Sequence, residues 1–160
     1  MTRTNDAEAA LSFREATRAD LPAVIALLAD DPLGKNREMA GLSELPEPYI
    51  RAFEAIDADP RNQIIVAETG GEIVGCLQLT YLLGLTYSGG ERAQIEGVRV
   101  RSGQRGAGIG KALLRHAIDL ARERGCVLVQ LTSDKRRAEA IAFYGALGFT
   151  ASHEGLKLRL

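Results

Sequence analysis

The chain has 160 residues, a mass of 17.2 kDa and a formal net charge of −1. A hydrophobic content of 46% and a charged content of 26% are typical of a globular protein, and the length suits one domain over residues 1–160, with residues 1–11 flexible. No stretch approaches a membrane span, and residues 1–12 lack the apolar run of a secretory signal. We therefore expect no membrane partner.

Charge is unevenly distributed along the chain. Residues 1–98 carry 8 basic and 16 acidic side chains, whereas residues 99–137 carry 10 basic and 3 acidic ones. No aromatic residues are interleaved with these cations, so a small anion is favoured over nucleic acid, and a solvated helix face remains the alternative. Cys76 and Cys126 lie far apart without metal-ligating neighbours, which predicts free thiols, a cytoplasmic location and no metal site.

The first third of the chain predicts a strand and two helices. The strand covers residues 12–16, and Thr17 and Asp20 then resemble a capping box before the apolar stripe of a helix. Residues 30–47 have no sustained period and are predicted to be mostly loop. Pro48 suits the first turn of a second, short helix.

A β-hairpin is predicted next. Residues 63–68 and 73–81 alternate as strands do, and the Thr-Gly-Gly-Glu sequence of residues 69–72 is a turn signal between them. Residues 82–90 follow as a loop.

The prediction of an anion-binding site depends mainly on residues 94–124. A strand over residues 94–100 leads into a loop over residues 102–110 with four glycines, and then into a long amphipathic helix. Such a loop presents unpaired N–H groups at the positive end of a helix dipole, which suits a phosphate. A Walker A loop is excluded because Arg105 and Ala112 stand where that pattern needs Gly and Ser or Thr, and Lys111 interrupts the dinucleotide fingerprint.

The remaining predicted elements continue the alternation of strands and helices along the chain. A strand is predicted over residues 127–132, a helix over residues 135–147, and a last pair of strands that ends with the alternating residues 156–160. His116 falls on the buried stripe of the long helix and is expected to be a packed histidine.

Two motifs resemble those of the GNAT superfamily of N-acetyltransferases. Arg105-x-x-Gly108-x-Gly110 is similar to the acetyl-CoA signature, and residues 140–149, AIAFYGALGF, are similar to a second block of that family. The resemblance implies an α/β (α+β) fold, with a mixed, mostly antiparallel sheet of about seven strands and about four helices. It also implies that the sheet splays between its fourth and fifth strands and holds acetyl-CoA, the co-substrate, in that cleft.

The resemblance implies which residues contact acetyl-CoA. They lie on the fourth strand, in the glycine loop and around the last helix: Val98, Val100, Arg105, Gly106, Ala107, Gly108, Ile109, Gly110, Lys111, Ser133, Arg137 and Phe143. Arg137 stands where family members often have Asn, so Ser133 or Arg137 itself would supply that contact. Independently, Gly97 inside a strand predicts a bulge, with a packing requirement as the alternative.

Acetyl transfer to an amine needs a base for the amine, donors for the oxyanion and an acid for the thiolate. By resemblance the acid is Tyr144, whose alternative role is that of a core aromatic, and a backbone N–H near Val98 donates to the oxyanion. By the same resemblance Glu96, a carboxylate on the fourth strand, is the first choice of base, and a carboxylate paired with Arg99 or Arg92 is the alternative. His153 and Glu154 are the second candidates.

The acceptor is predicted as a class only. The acidic residues between positions 30 and 47 favour a cationic small-molecule or peptide amine, although a solvated loop explains them equally well. The leading function is an acetyl-CoA-dependent N-acetyltransferase that transfers directly in a ternary complex. A non-catalytic acyl-CoA sensor of the same fold and a nucleotide-phosphate binder stay open, and so does a homodimer.

Overall fold

The computed structural model describes residues 10–35, 38, 41 and 44–160. Strands within these residues are β1 Ser12–Glu15, β2 Asn62–Thr69, β3 Glu72–Leu82, β4 Arg92–Val100 and β5 Leu128–Leu131. Helices are α1 Leu21–Ala29, α2 Glu47–Ala58, the single turn α3 Thr86–Gly89, α4 Ile109–Glu123 and α5 Ala138–Ala146, with 3₁₀ turns at Arg18–Asp20 and Ser102–Gln104.

The strands form one sheet in the order β1-β2-β3-β4-β5. Neighbours are antiparallel except for β4 and β5, which are parallel, so the predicted mixed and mostly antiparallel sheet is confirmed. Helices α1 and α2 pack against one face of the sheet, and α4 packs against the other. The two faces of the sheet therefore each carry a separate hydrophobic cluster.

Local sequence signals explain the first half of the fold. The carboxylate of Asp20 accepts hydrogen bonds from the Thr17 N–H (2.7 Å) and the Thr17 hydroxyl (3.0 Å) at the start of the first helix. Between β2 and β3 the chain turns at Gly70 and Gly71, whose φ values of 59° and 77° suit a two-residue hairpin turn. Both predictions are confirmed.

Strand β4 contains the predicted bulge. Glu96 pairs with Gln78 and Arg99 pairs with Cys76, so Gly97 and the residue after it stand opposite a single residue of β3. The φ of Gly97 is +62°, a value that favours glycine. A glycine at this position is therefore required by the backbone.

The predicted splay of the sheet begins directly before that bulge. β4 and β5 pair from Arg92 with Leu128 to Ile95 with Leu131. β4 continues to Val100, whereas β5 ends at Leu131. The second half of β4 thus has a free edge that faces a gap.

The sheet departs from the prediction at its far end. Residues 149–160 have no regular secondary structure, and residues 150–160 are all exposed. The prediction of a last pair of strands is therefore wrong, and the described sheet has five strands rather than about seven. Alternation of apolar and charged residues does not form a strand by itself, because a strand also needs a neighbour to pair with, and residues 156–160 pair with none in the described sheet. The last helix also starts later than predicted, at Ala138.

Some predictions meet the structure only in part. The flexibility expected of residues 1–11 falls largely on residues outside the described ones, although Leu11 packs against the core. Residues 82–90 are not all loop, because they include the left-handed turn α3 with φ near 56° at Tyr87. No helix in the described ranges has the length and apolarity that crossing a membrane requires.

Candidate active site

A cleft of about 700 Å³ opens where β4 leaves β5. Its walls are the end of β4, the segment directly after α1 and the start of α5. Four of the predicted contacts line it: Val98, Val100, Arg105 and Arg137. Arg99 and Arg136 line it as well, so the cleft wall has an excess of cationic side chains and suits an anionic ligand.

The glycine loop presents backbone donors beside this cleft. Gly106 and Gly108 have φ values of 85° and 81°, and Gly108 is the N-cap of α4. The first bond of the helix runs from the Ala112 N–H to the Gly108 carbonyl (3.0 Å), so the N–H groups of residues 109–111 have no acceptor within the helix. Predicted contacts Ala107, Ile109 and Lys111 lie in this segment.

Gly110 brings three elements together. A Cβ added there would lie 3.4 Å from the Val100 side chain and 3.6 Å from the ring of Phe143. The start of α4, the end of β4 and α5 therefore meet at this residue. Ser133, by contrast, is half-buried and does not line the cleft.

Arg105 fixes the loop to its surroundings. Its Nε donates to the Val100 carbonyl (3.0 Å), and its guanidinium donates to the carbonyl of Asp30, whose carboxylate lies 3.8 Å away. The Asp30 carboxylate also accepts from the Ser102 N–H (2.9 Å). These contacts tie the first half of the loop to the segment after α1.

Asp31 forms a buried ionic cluster that the sequence did not predict. Its carboxylate lies 2.6 Å from Nε of Arg99, without hydrogen-bond geometry, and accepts from Arg137 (2.8 Å). The Asp31 side chain is 7% exposed and that of Arg99 is 11% exposed. Burial raises the pKa of Asp31, but N–H donors of Gly34 and Leu33 and the two arginine charges outweigh this and hold the pKa below its ordinary value.

Tyr144 is not among the residues that line the cleft, and it packs in a mostly apolar setting against the hydrophobic cluster under α4. Its ring contacts Phe143 and Phe149 edge to face at centroid distances of 5.4 and 6.0 Å. Burial raises its pKa more than the charges of Arg99 and Arg137 lower it, so the phenol stays protonated near neutral pH. Its hydroxyl has no hydrogen-bond partner within the described part of the chain, and it is therefore free to donate.

Glu96 lies exposed on β4, directly before the bulge. The arginines proposed as its alternative partners bond elsewhere, Arg99 to Asp31 and Arg92 to Gln130 (3.2 Å). Gln130 in turn donates to Gln94 (2.9 Å), on the same sheet face as Glu96. The carboxylate thus lies on the same sheet face as a row of polar side chains.

The other candidate bases lie away from the cleft lining. His153 and Glu154 are exposed in the segment after α5, where the His153 ring contacts the Ser152 hydroxyl (2.8 Å) and Glu154 pairs with Lys135 (2.7 Å). The ring of His116 stacks on a phenylalanine at 5.0 Å, which confirms it as a packed histidine. In the described ranges, no three His, Cys, Asp or Glu side chains cluster as metal ligands do.

Comparison with known proteins gives consistent matches. Residues 22–149 match the Acetyltransferase (GNAT) family. Glucosamine 6-phosphate N-acetyltransferase of Trypanosoma brucei brucei is 32% identical over 141 residues, 84% of this chain and 93% of that protein. Streptothricin acetyltransferase of Streptomyces lavendulae is 38% identical over 96 residues, 60% of this chain and 48% of that protein, so the chain spans about half the length of this relative.

Among solved structures, that of a transcriptional regulator from Bacillus halodurans C-125 is 52% identical. The match covers 94% of this chain and 100% of that chain, with a TM-score of 0.91.

Proposed function

Because the chain belongs to the GNAT acetyltransferase family, we propose that it transfers the acetyl group of acetyl-CoA to a primary amine, directly in a ternary complex. The observation that carries this proposal is the coincidence of the splay between β4 and β5 with a cationic cleft and the unpaired N–H groups of residues 109–111. Two free thiols, Cys76 and Cys126, support a cytoplasmic location.

The residues around the cleft fit a phosphate-bearing thioester. The glycine loop and the start of α4 offer N–H donors and a positive dipole end for the phosphates, and Arg99, Arg105 and Arg137 supply cationic charge nearby. Because β5 ends opposite Ile95, directly before the bulge at Gly97, the second half of β4 is unpaired on the side of the cleft, where amide groups of a ligand can bond to the strand. Acetyl-CoA supplies the activated acetyl group.

The proposed chemistry divides between two side chains. Tyr144, held protonated by burial, donates its proton to the departing thiolate. Glu96 accepts a proton from the acceptor amine, directly or through water, and a backbone N–H near Val98 donates to the oxyanion of the tetrahedral intermediate. The N–C bond forms first and gives the tetrahedral intermediate, and the C–S bond breaks when that intermediate collapses. The proton of the amine goes to Glu96, and the departing thiolate takes the proton of Tyr144 and leaves as the thiol.

The acceptor we propose is a small polar amine that approaches from the sheet face of Glu96. Gln94, Gln130 and Arg92 form a hydrogen-bonded row there, which suits hydroxyl or anionic groups of an acceptor. The carboxylates of Asp30 and Asp31 are paired with arginines, so they contribute less free negative charge than the sequence predicted. The names of two relatives, for glucosamine 6-phosphate and for streptothricin, are consistent with a polar amine.

The test is release of free CoA thiol across a panel of acceptors, in wild type and in Tyr144→Phe. The panel holds glucosamine 6-phosphate, polyamines, aminoglycosides, amino acids and peptide N-termini. Tyr144→Phe should lower the acceptor-dependent rate about 10²–10⁴-fold while the acetyl-CoA dissociation constant hardly changes. Tyr81→Phe, which removes a buried hydroxyl outside the cleft lining, is the matched control and should keep the rate.

A second function is a non-catalytic acyl-CoA sensor, favoured by the name of the 52% identical regulator from Bacillus halodurans. A sensor would bind acetyl-CoA, seen as a raised melting temperature, without turnover on any acceptor. Tyr144→Phe would then be without consequence. If acetyl-CoA gave neither turnover nor stabilisation, the proposed use of the cleft would be wrong.

A further inference from the structure

Three polar residues of β4 lie in a row on one face of the sheet. Arg92, Gln94 and Glu96 alternate with Ala93 and Ile95, which are buried under α4, so the row lies on the opposite face. Arg92 and Gln94 are half-buried, and Glu96 is exposed. The row therefore has a cation at one end and a carboxylate at the other, with about 13 Å of strand between them.

The guanidinium of Arg92 is not neutralised by any carboxylate of the described residues. Its hydrogen bond within these residues runs from Nη1 to the side-chain oxygen of Gln130 (3.2 Å). Its Nε is buried without a hydrogen-bond partner. Three arginines of the cleft, by contrast, pair with Asp30 or Asp31. A partly buried cation with unused donors is stabilised when a ligand brings an anion to it.

The hydrogen bond to Gln130 turns the guanidinium toward Glu96. Arg92 bonds diagonally across the two parallel strands to Gln130, which lies opposite Gln94. Gln130 in turn donates to the side-chain oxygen of Gln94 (2.9 Å). The guanidinium therefore reaches the level of Gln94, and only about 7 Å of strand separates this level from Glu96.

The loop before β4 holds an aromatic ring near the same guanidinium. The centre of the Tyr87 ring lies 6.0 Å from the guanidinium carbon of Arg92. Tyr87 and Ser88 have φ values of 56° and 57°, which are uncommon for residues with a side chain. Such strained residues concentrate at binding sites. Tyr87 is also 55% exposed, so its ring has a free surface that a ligand can contact.

Resting on the acetyl transfer already proposed, we propose that the acceptor is a primary amine that also carries an anionic group, a phosphate or a carboxylate, and that Arg92 binds this group. The amine lies at Glu96, and the middle of the acceptor lies beside Gln94 and Gln130. The distance between the two charges suits an anion several bonds away from the amine. Arg92 also disfavours polyamines, because they carry a second cation where the anion would bind.

Three acceptors of equal length test the role of the anion. They are 5-aminopentylphosphonate, 6-aminohexanoate and 5-aminopentanol, which each have five methylene groups between the amine and the end group. Only the first two are anionic, and in wild type their KM for CoA release should be about 10-fold or more below that of the alcohol. Arg92→Gln should raise the KM of the anions about 10–100-fold, and it should hardly change kcat or the KM of the alcohol.

A matched control removes an arginine away from this row. Arg122→Gln changes an exposed arginine in the last turn of α4 and should leave the KM of all three acceptors unchanged. Circular dichroism and the acetyl-CoA dissociation constant check that both variants keep the fold and the cleft. Equal KM values for the anions and the alcohol in wild type would overturn the proposal, and so would KM values for the anions that Arg92→Gln leaves unchanged.

Calorimetric titration with 5-aminopentylphosphonate detects the anion site without any turnover. Binding in wild type that is lost in Arg92→Gln, in a protein that acetylates no acceptor, would support the anion site and contradict acetyl transfer. Acetylation of 5-aminopentanol without binding of the phosphonate at Arg92 would support acetyl transfer and contradict the anion site.

Discussion

The chain before Ala121 and the chain after it are built differently. Every buried hydrophobic residue of the described chain lies between Ala16 and Ala121, and none lies in residues 122–160. The first part contains both core clusters, whereas the second contributes β5, α5 and Tyr144 from the rim. The candidate site thus lies between a wall with its own core and a wall that contributes no fully buried residue.

The largest expected effect comes from a cavity on the well-packed side. Leu113 is 0% exposed, so Leu113→Ala should lower the free energy of unfolding by about 2–5 kcal/mol. Ile141→Ala, on α5, should lower it by less than ~1 kcal/mol, because this side chain is 42% exposed. Urea unfolding measures the free energy of both variants. Equal losses of unfolding free energy would contradict the difference in packing between the two parts of the chain.

The next largest effect is expected at Asp31, whose buried carboxylate pairs with Arg99 in the first part of the chain and with Arg137 in the second. Asp31→Asn leaves Arg99 buried without its carboxylate and should cost about 3 kcal/mol in urea unfolding, together with weaker acetyl-CoA binding by calorimetry. Asp119→Asn removes an exposed carboxylate that pairs with Arg122 and should cost less than ~0.5 kcal/mol. A loss as small for Asp31 as for Asp119 would show that the cluster does not hold the walls together.

The smallest effect concerns the rim of the first part and depends on pH. The hydrogen bond from Arg14, together with the Thr17 donors, lowers the pKa of Asp20 from 3.8 to about 2 although partial burial opposes the shift. Because the folded-state pKa lies below the unfolded one, the stabilisation is complete above about pH 4 and is lost as the pH falls through 2.

Asp20→Asn should therefore cost about 1 kcal/mol in urea unfolding at pH 7, and the difference from wild type should shrink between pH 4 and pH 2. A difference that stays constant over this range would mean that the carboxylate charge has no part in the stabilisation.

Local signals made much of the fold predictable. Gly97 indicated a bulge because an L side chain rarely adopts a φ of +62°, and the glycine loop indicated a helix start with free N–H groups. The splay between β4 and β5 followed from the family resemblance, and the pairing from Ile95 to Leu131 confirms where it begins.

Interactions between distant positions were not predictable in the same way. Asp31 and Arg137 are 106 positions apart, and nothing near either residue signals the contact. The alternation of residues 156–160 predicted a strand, but the pattern could not indicate that this segment pairs with no strand of the described sheet. The roles of Tyr144 and Glu96 stay predictions until the variants are measured.

The strand bulge also gives the protein an internal chemical reporter. Cys76 is 1% exposed, and its Sγ lies 3.8 Å from the Gly97 carbonyl oxygen, directly under the bulge. Burial raises the pKa of this thiol to about 12, and only the thiolate reacts with a maleimide. In a Cys126→Ser chain, maleimide can label Cys76 only when β3 and β4 separate at the bulge, so the labelling rate reports how often they separate. A ligand bound along β4 should lower this rate.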